Sequence, residues 1–106
     1  MRIKEIKGIL EKKGLDFALF YNLGMETNPN MSYFSGYSGL GALVIPRKQS
    51  PFLIAPEMEV EKAKKGVFKK VYSMDKKKFF ESIHQIIRKN KIKAKIVAID
   101  YGNFNL

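Results

Sequence analysis

The chain has 106 residues, one domain's worth, since typical domains run to roughly 100–150 residues and two halves of this length would each lack a core. Apolar residues at 45% and aromatics at 12% exclude a disordered chain, and the absence of cysteine excludes disulfides, thiolate zinc sites and Cys nucleophiles together. The 20 Lys+Arg against 10 Asp+Glu give a formal charge of +10, which raises the question of an anionic partner.

Residues 2–13 place Ile3, Ile6, Ile9 and Leu10 on one face and Lys4, Glu5, Lys7, Glu11 and Lys12 on the other, so an amphipathic helix is expected there, closed by Gly14. Residues 17–21 form a short continuous apolar run, the pattern of a strand buried on both faces. The stretch 22–30 carries Gly24, Pro29 and three Asn, too many breakers for a regular element. A short helical turn over 30–37 follows, capped by Asn30 and stopped at Gly36, with Gly39 and Gly41 prolonging the irregular stretch.

Residues 42–45 read as a strand, 46–51 as a turn bracketed by Pro46 and Pro51, and 52–54 as the return strand of an antiparallel hairpin. Glu57, Glu59 and Glu61 precede Lys62, Lys64 and Lys65, the charge order a helix macrodipole favours, so a helix is expected over 57–65. Val67, Phe68, Val71 and Tyr72 suggest an edge strand. Asp75 then caps a longer helix whose Phe79, Phe80, Ile83, Ile86 and Ile87 line one face. Residues 93–99 form a second buried-type strand. The order of elements argues for an α/β domain with a mixed β-sheet flanked by helices. The chain stops soon after that last strand, where a further covering helix is expected, which points to a fragment.

The 1–7 stretch alternates charge with Ile and has no apolar core of a secretory signal, and no apolar run nears the ~20 residues that cross a bilayer. A cytoplasmic protein is expected, with no membrane partner. The 17 Lys are spread over the chain, mostly near helix ends, and Arg is limited to Arg2, Arg47 and Arg88. Arg is the residue that reads phosphate and guanine bidentately, so a solvated Lys-rich surface is preferred over a nucleic-acid-binding module, which stands as the alternative. Lys-rich, Ile-rich, Cys-free composition also suits a thermophile, although Glu is scarce for that.

Several signals for chemistry fail on spacing. His84 is the single histidine and lies beside the apolar face of its helix without the three or four converging donors a metal needs, and no Ser nucleophile has a base to activate it. Glu57, Glu59 and Glu61 are better explained by the helix dipole than as a cation site. The glycines of 36–41 follow a turn and open a strand, the reverse of a phosphate loop. The Asn30-Met31-Ser32 triplet matters only in a secreted chain. What remains is 30–41, where Tyr33, Phe34 and Tyr37 cluster among glycines, either completing the core or contacting a ligand or another domain.

The amphipathic helix ending in Lys-Lys-Gly-Leu-Asp at 12–16, the strand 17–21, the Asn-Met-Ser-Tyr-Phe-Ser-Gly-Tyr run at 30–37 and Gly-Ala-Leu-Val-Ile at 41–45 together resemble the N-terminal domain of the creatinase, prolidase and aminopeptidase P family. That family shows an Asn, two residues, Tyr, a hydrophobic residue, a small hydroxyl residue, Gly and an aromatic, matched here by Asn30, Tyr33, Phe34, Ser35, Gly36 and Tyr37. The closing 97–103 looks like the domain's late strand. The resemblance implies a ribonuclease H-like α/β fold and a non-catalytic N-terminal domain over 1–106. It implies a substrate gate and subunit contact in a homodimer, walling the pocket of its own or a neighbouring catalytic domain. By resemblance Tyr33, Phe34 and Tyr37 are the substrate-binding residues, toward short proline-containing peptides. Catalysis in the family rests on two Asp, one His and two Glu around a pair of divalent metals (Mn, Co or Zn) in a C-terminal domain; these 106 residues hold no such ligand set, so no catalytic residue, metal ligand or cofactor is assigned here.

Overall fold

A computed structural model describes residues 2–23, 29–92 and 97–100, the last four as backbone. Five strands form one sheet: β1 (Phe17–Asn22), β2 (Gly41–Pro46), β3 (Phe52–Pro56), β4 (Val71–Met74) and β5 (Val97–Asp100), in the spatial order β4-β3-β2-β1-β5. The sheet is mixed. β2 pairs antiparallel with β1 and β3, whereas β4 runs parallel to β3 and β5 parallel to β1. Only β2 therefore runs against the other four.

The alternation of side chains along each central strand builds two cores. Ala18, Phe20, Leu43, Ile45, Leu53 and Ala55 face one side, where they meet Ile6 and Leu10 of helix α1 (Ile3–Lys13), Met31 and Phe34 of α2 (Pro29–Ser35) and Ala63 of α3 (Val60–Ala63). Phe17, Leu19, Ala42, Val44, Phe52 and Ile54 face the other, where α4 (Phe79–Lys89) supplies Phe79, Ile83 and Ile87. The strands are buried on both faces, which is why they read as continuous apolar runs rather than as alternation.

The expected helix α1, its left-handed stop at Gly14 (φ 68), the 17–21 strand and the hairpin all form. Other expectations shift. α2 begins at Pro29, whose missing N–H costs nothing in a first turn, so Asn30 sits inside the helix rather than capping it. The 57–65 helix is a 3-10 turn (Glu57–Glu59) followed by the single turn of α3. Val67 and Phe68 stay outside the edge strand because the Val67 N–H is taken by the Ser35 carbonyl at 2.8 Å. Asp75 does cap, accepting from the Lys77 N–H at 2.9 Å, but it caps a 3-10 turn (Lys76–Lys78) that leads into α4.

Phe80 lies off the buried stripe of α4: spacing of four sends Phe79, Ile83 and Ile87 inward and leaves Phe80 exposed, its ring edge-on to Tyr21 at 5.5 Å. The 93–96 part of the last expected strand lies outside the described residues. Among the described residues α4 is the only helix on its face of the sheet, so its apolar stripe carries that core. Ile83→Ala is expected to cost about 2–5 kcal/mol in urea unfolding, and Phe80→Ser well under half of that.

Candidate functional site

The aromatic stretch expected to carry function starts with α2. Its last residue, Ser35, is fully buried and makes the connections that hold the rest. The Ser35 hydroxyl donates to the Met31 carbonyl at 2.6 Å and accepts the Tyr37 N–H at 3.0 Å, so it fastens the residue beyond the helix to the helix itself. The Ser35 carbonyl accepts the Val67 N–H at 2.8 Å, which ties the end of α2 to the turn after α3. That carbonyl lies so close over Gly66 that a Cβ there would collide with its oxygen. Gly36 takes the left-handed turn (φ 75) that lets the chain reverse between these two attachments.

The three predicted site residues then part company. Tyr33 is 67% exposed on the outer face of α2, its ring edge-on to Phe34 at 5.1 Å. Phe34 is buried and rests against Phe20 of β1 at 5.6 Å. Tyr37 is buried as well, its hydroxyl donating to the Leu40 carbonyl at 2.7 Å. Burial, with the Glu59 carboxylate as a second contribution, pushes the Tyr37 phenol up to about 12 from its ordinary 10.0. Asn22, buried at the end of β1, donates to the Ser38 and Gly39 carbonyls at 2.9 and 3.2 Å and so holds the 37–40 loop against the sheet. Of the three aromatics, Tyr33 is the one presented outward; Phe34 and Tyr37 fix where it stands.

Sequence reasoning missed a groove of about 950 Å³ at the carboxyl ends of β3 and β4, bounded by Pro56, Glu57 and Met58 on one wall and Ser73, Met74 and Asp75 on another. Open α/β sheets bind ligands outside the carboxyl ends of their strands. The 57–70 connection is long enough for a crossover, which permits the parallel β3 and β4 that end at one rim, but no residue motif marks the groove itself. At the opposite end, a concavity of about 160 Å³ is lined by Arg47, Lys48 and Lys91 with Asp16. His84 is exposed on α4, and among the described residues no three of His, Asp or Glu converge as metal ligands.

Two outcomes follow from this geometry. Ser35→Ala strands the buried Tyr37 N–H and is expected to destabilise the domain by about 1–3 kcal/mol in chemical denaturation. The Tyr37 phenol binds its proton more tightly folded than unfolded, so its stabilising effect is full below pH 10.0 and is lost as pH rises toward about 12. Unfolding measured across that window should show a steeper fall for the natural chain than for Tyr37→Phe, and the tyrosinate absorbance that Tyr37→Phe removes should be the part that rises toward pH 12.

Compared with known proteins, residues 2–106 match the family model described as the Creatinase/Prolidase N-terminal domain. A peptidase of Staphylococcus epidermidis described as uncharacterised is 40% identical over 73 residues, which is 64% of this chain and 19% of that protein. The chain thus spans about a fifth of the length of that curated relative. Among solved structures, the N-terminal domain of Xaa-Pro dipeptidase from Lactobacillus brevis superposes with a TM-score of 0.78 at 21% identity, covering 98% of this chain and 79% of that one. The prolidase from Pyrococcus furiosus gives 0.72 at 23% identity, over 98% of this chain and 29% of that one. The mixed sheet and flanking helices are the fold these neighbours share, and the chain belongs to the creatinase/prolidase N-terminal domain family.

Proposed function

We propose that this domain serves as the substrate-gating and oligomerisation domain of a two-metal Xaa-Pro dipeptidase or aminopeptidase. The observation that carries the reading is Tyr33: a large aromatic held two-thirds exposed on a helix whose end is pinned by a buried hydroxyl. A rigidly held exposed aromatic is the kind of group that contacts a partner, because it offers wide contact area at little entropic cost. In this reading Tyr33 meets short proline-containing peptides at the mouth of a catalytic pocket, with Phe34 and Tyr37 as its supports. The pocket belongs to the same polypeptide or to a neighbouring subunit in a cytoplasmic homodimer. The divalent metal pair, Mn, Co or Zn, and its carboxylate and His ligands belong to a catalytic domain outside these residues, and that group supplies the activated water. The alternative raised by the +10 charge, a nucleic-acid-binding module, gains no support from the family match or from the relatives named above.

The purified 106-residue chain is expected to show no hydrolysis of Xaa-Pro dipeptides with added Mn, Co or Zn. In a parent enzyme carrying this domain, Tyr33→Ala is expected to raise KM several-fold with kcat little changed, the signature of lost uniform binding. Turnover by the isolated chain, or an unchanged KM in the parent, overturns the reading.

A further inference from the structure

Among the described residues the sheet ends on one side at β4, and the backbone there has a definite polarity. The Leu53 N–H donates to the Lys70 carbonyl at 3.0 Å, and Leu53 stands opposite Val71 in the parallel ladder. Residues 70, 72 and 74 therefore turn their backbone groups toward β3, and by alternation Val71 and Ser73 turn theirs to the outside of the sheet. Asp75 continues the extended path (φ −88, ψ 121), but its carbonyl accepts the Lys78 N–H at 3.0 Å, so the outward set is 71 and 73 with the Asp75 N–H beyond them. Ser73 is exposed and Val71 half-buried, so this rim is accessible.

We propose that β4 is the docking edge for a second copy of this chain, pairing antiparallel about a two-fold axis at Tyr72 so that two sheets become one. It rests on the oligomerisation half of the reading above and names the surface. A two-fold axis normal to the sheet keeps faces matched, so residues of like parity must stand opposite each other. Two registers meet that condition near the middle of the strand. Centring on Tyr72 sets Val71 opposite the second copy's Ser73, both with outward backbone groups, and sets Lys69 opposite the second copy's Asp75. Centring on Ser73 sets Val71 opposite the second copy's Asp75, an apolar side chain against a carboxylate. Charge complementarity selects the first.

The side chains are placed to serve it. The Lys69 ammonium lies at the carboxyl end of α3, donating to the Lys64 and Gly66 carbonyls at 2.9 and 3.3 Å, and an ammonium has three donors. Asp75 uses one carboxylate oxygen on the Lys77 N–H and has a second oxygen for an incoming cation. Exposed apolar groups flank the edge at both ends, Val67 before the strand and Met58 on the groove wall beside Ser73 and Asp75. Lysines on either side of β4 protect the edge from indiscriminate pairing. A four-residue strand is a small contact, so the association is weak, with a Kd on the order of micromolar.

Sedimentation of the 106-residue chain across micromolar to millimolar concentration tests this. The natural chain is expected to shift from one chain to two with rising concentration. Lys69→Glu, which sets like charges opposite each other at both ends, should hold it at one, and adding Asp75→Lys to that variant should restore the dimer. Ser73→Pro, which removes an outward N–H that β3 does not use, should also stay monomeric. Circular dichroism of each variant separates loss of pairing from loss of fold. A dimer that all these variants leave intact overturns the β4 edge while leaving the oligomerisation reading standing. A natural chain that stays monomeric at every concentration overturns both for this domain.

Discussion

One buried hydroxyl organises the aromatic stretch 30–37 of this domain. Ser35 sits where three segments converge, and each of its polar atoms is engaged: the hydroxyl by the helix behind it and the residue ahead, the carbonyl by the turn after α3. In a solvent-free position such bonds cannot be exchanged for water, so the penalty for breaking any of them exceeds the modest net value of a typical hydrogen bond. The short helix α2, only seven residues long, would be marginal by itself. It persists because its end is fixed to the core by Ser35 and its flank by Met31 and Phe34.

This arrangement explains why the aromatic motif is built as it is. The Ser35 carbonyl passes directly over Gly66, and the glycine after Ser35 allows the reversal that brings Tyr37 back under the loop. The buried Tyr37 hydroxyl then closes the 37–40 loop on Leu40, and Asn22 closes it from the strand side. The polar residues here are structural, and their product is a single outward ring at Tyr33. The buried supports and the exposed ring thus lie within eight residues, from 30 to 37.

Much of the fold was legible in the sequence because burial on both faces leaves a plain mark. Runs such as 17–21 and 42–45 have no polar residue to interrupt them, and the helix pattern of 2–13 ends at a glycine that does adopt the left-handed conformation. The strand after α3 was harder to place. Val67 and Phe68 have the same composition as Val71 and Tyr72, and what separates them is a long-range bond from Val67 to Ser35, which local pattern cannot reveal. For the site, proximity of Tyr33, Phe34 and Tyr37 was readable, but direction was not: Phe34 and Tyr37 turn inward because of Phe20, Leu40 and the sheet, contacts more than local spacing encodes. The groove beside β4 stayed hidden because it belongs to no motif; it is the shape left between two parallel strand ends.

The single reversed strand has a consequence for how the domain tolerates change. Because β1, β3 and β4 run the same way, the chain leaves each of them at one rim, the rim that also holds the groove and the 37–41 approach to β2. The opposite rim carries the 47–51 turn of the central hairpin, whose strands set the register of everything else. Insertions and substitutions can therefore accumulate at one end without disturbing the pairing, while the other end remains short. A domain wired this way can change what it meets while keeping what it is.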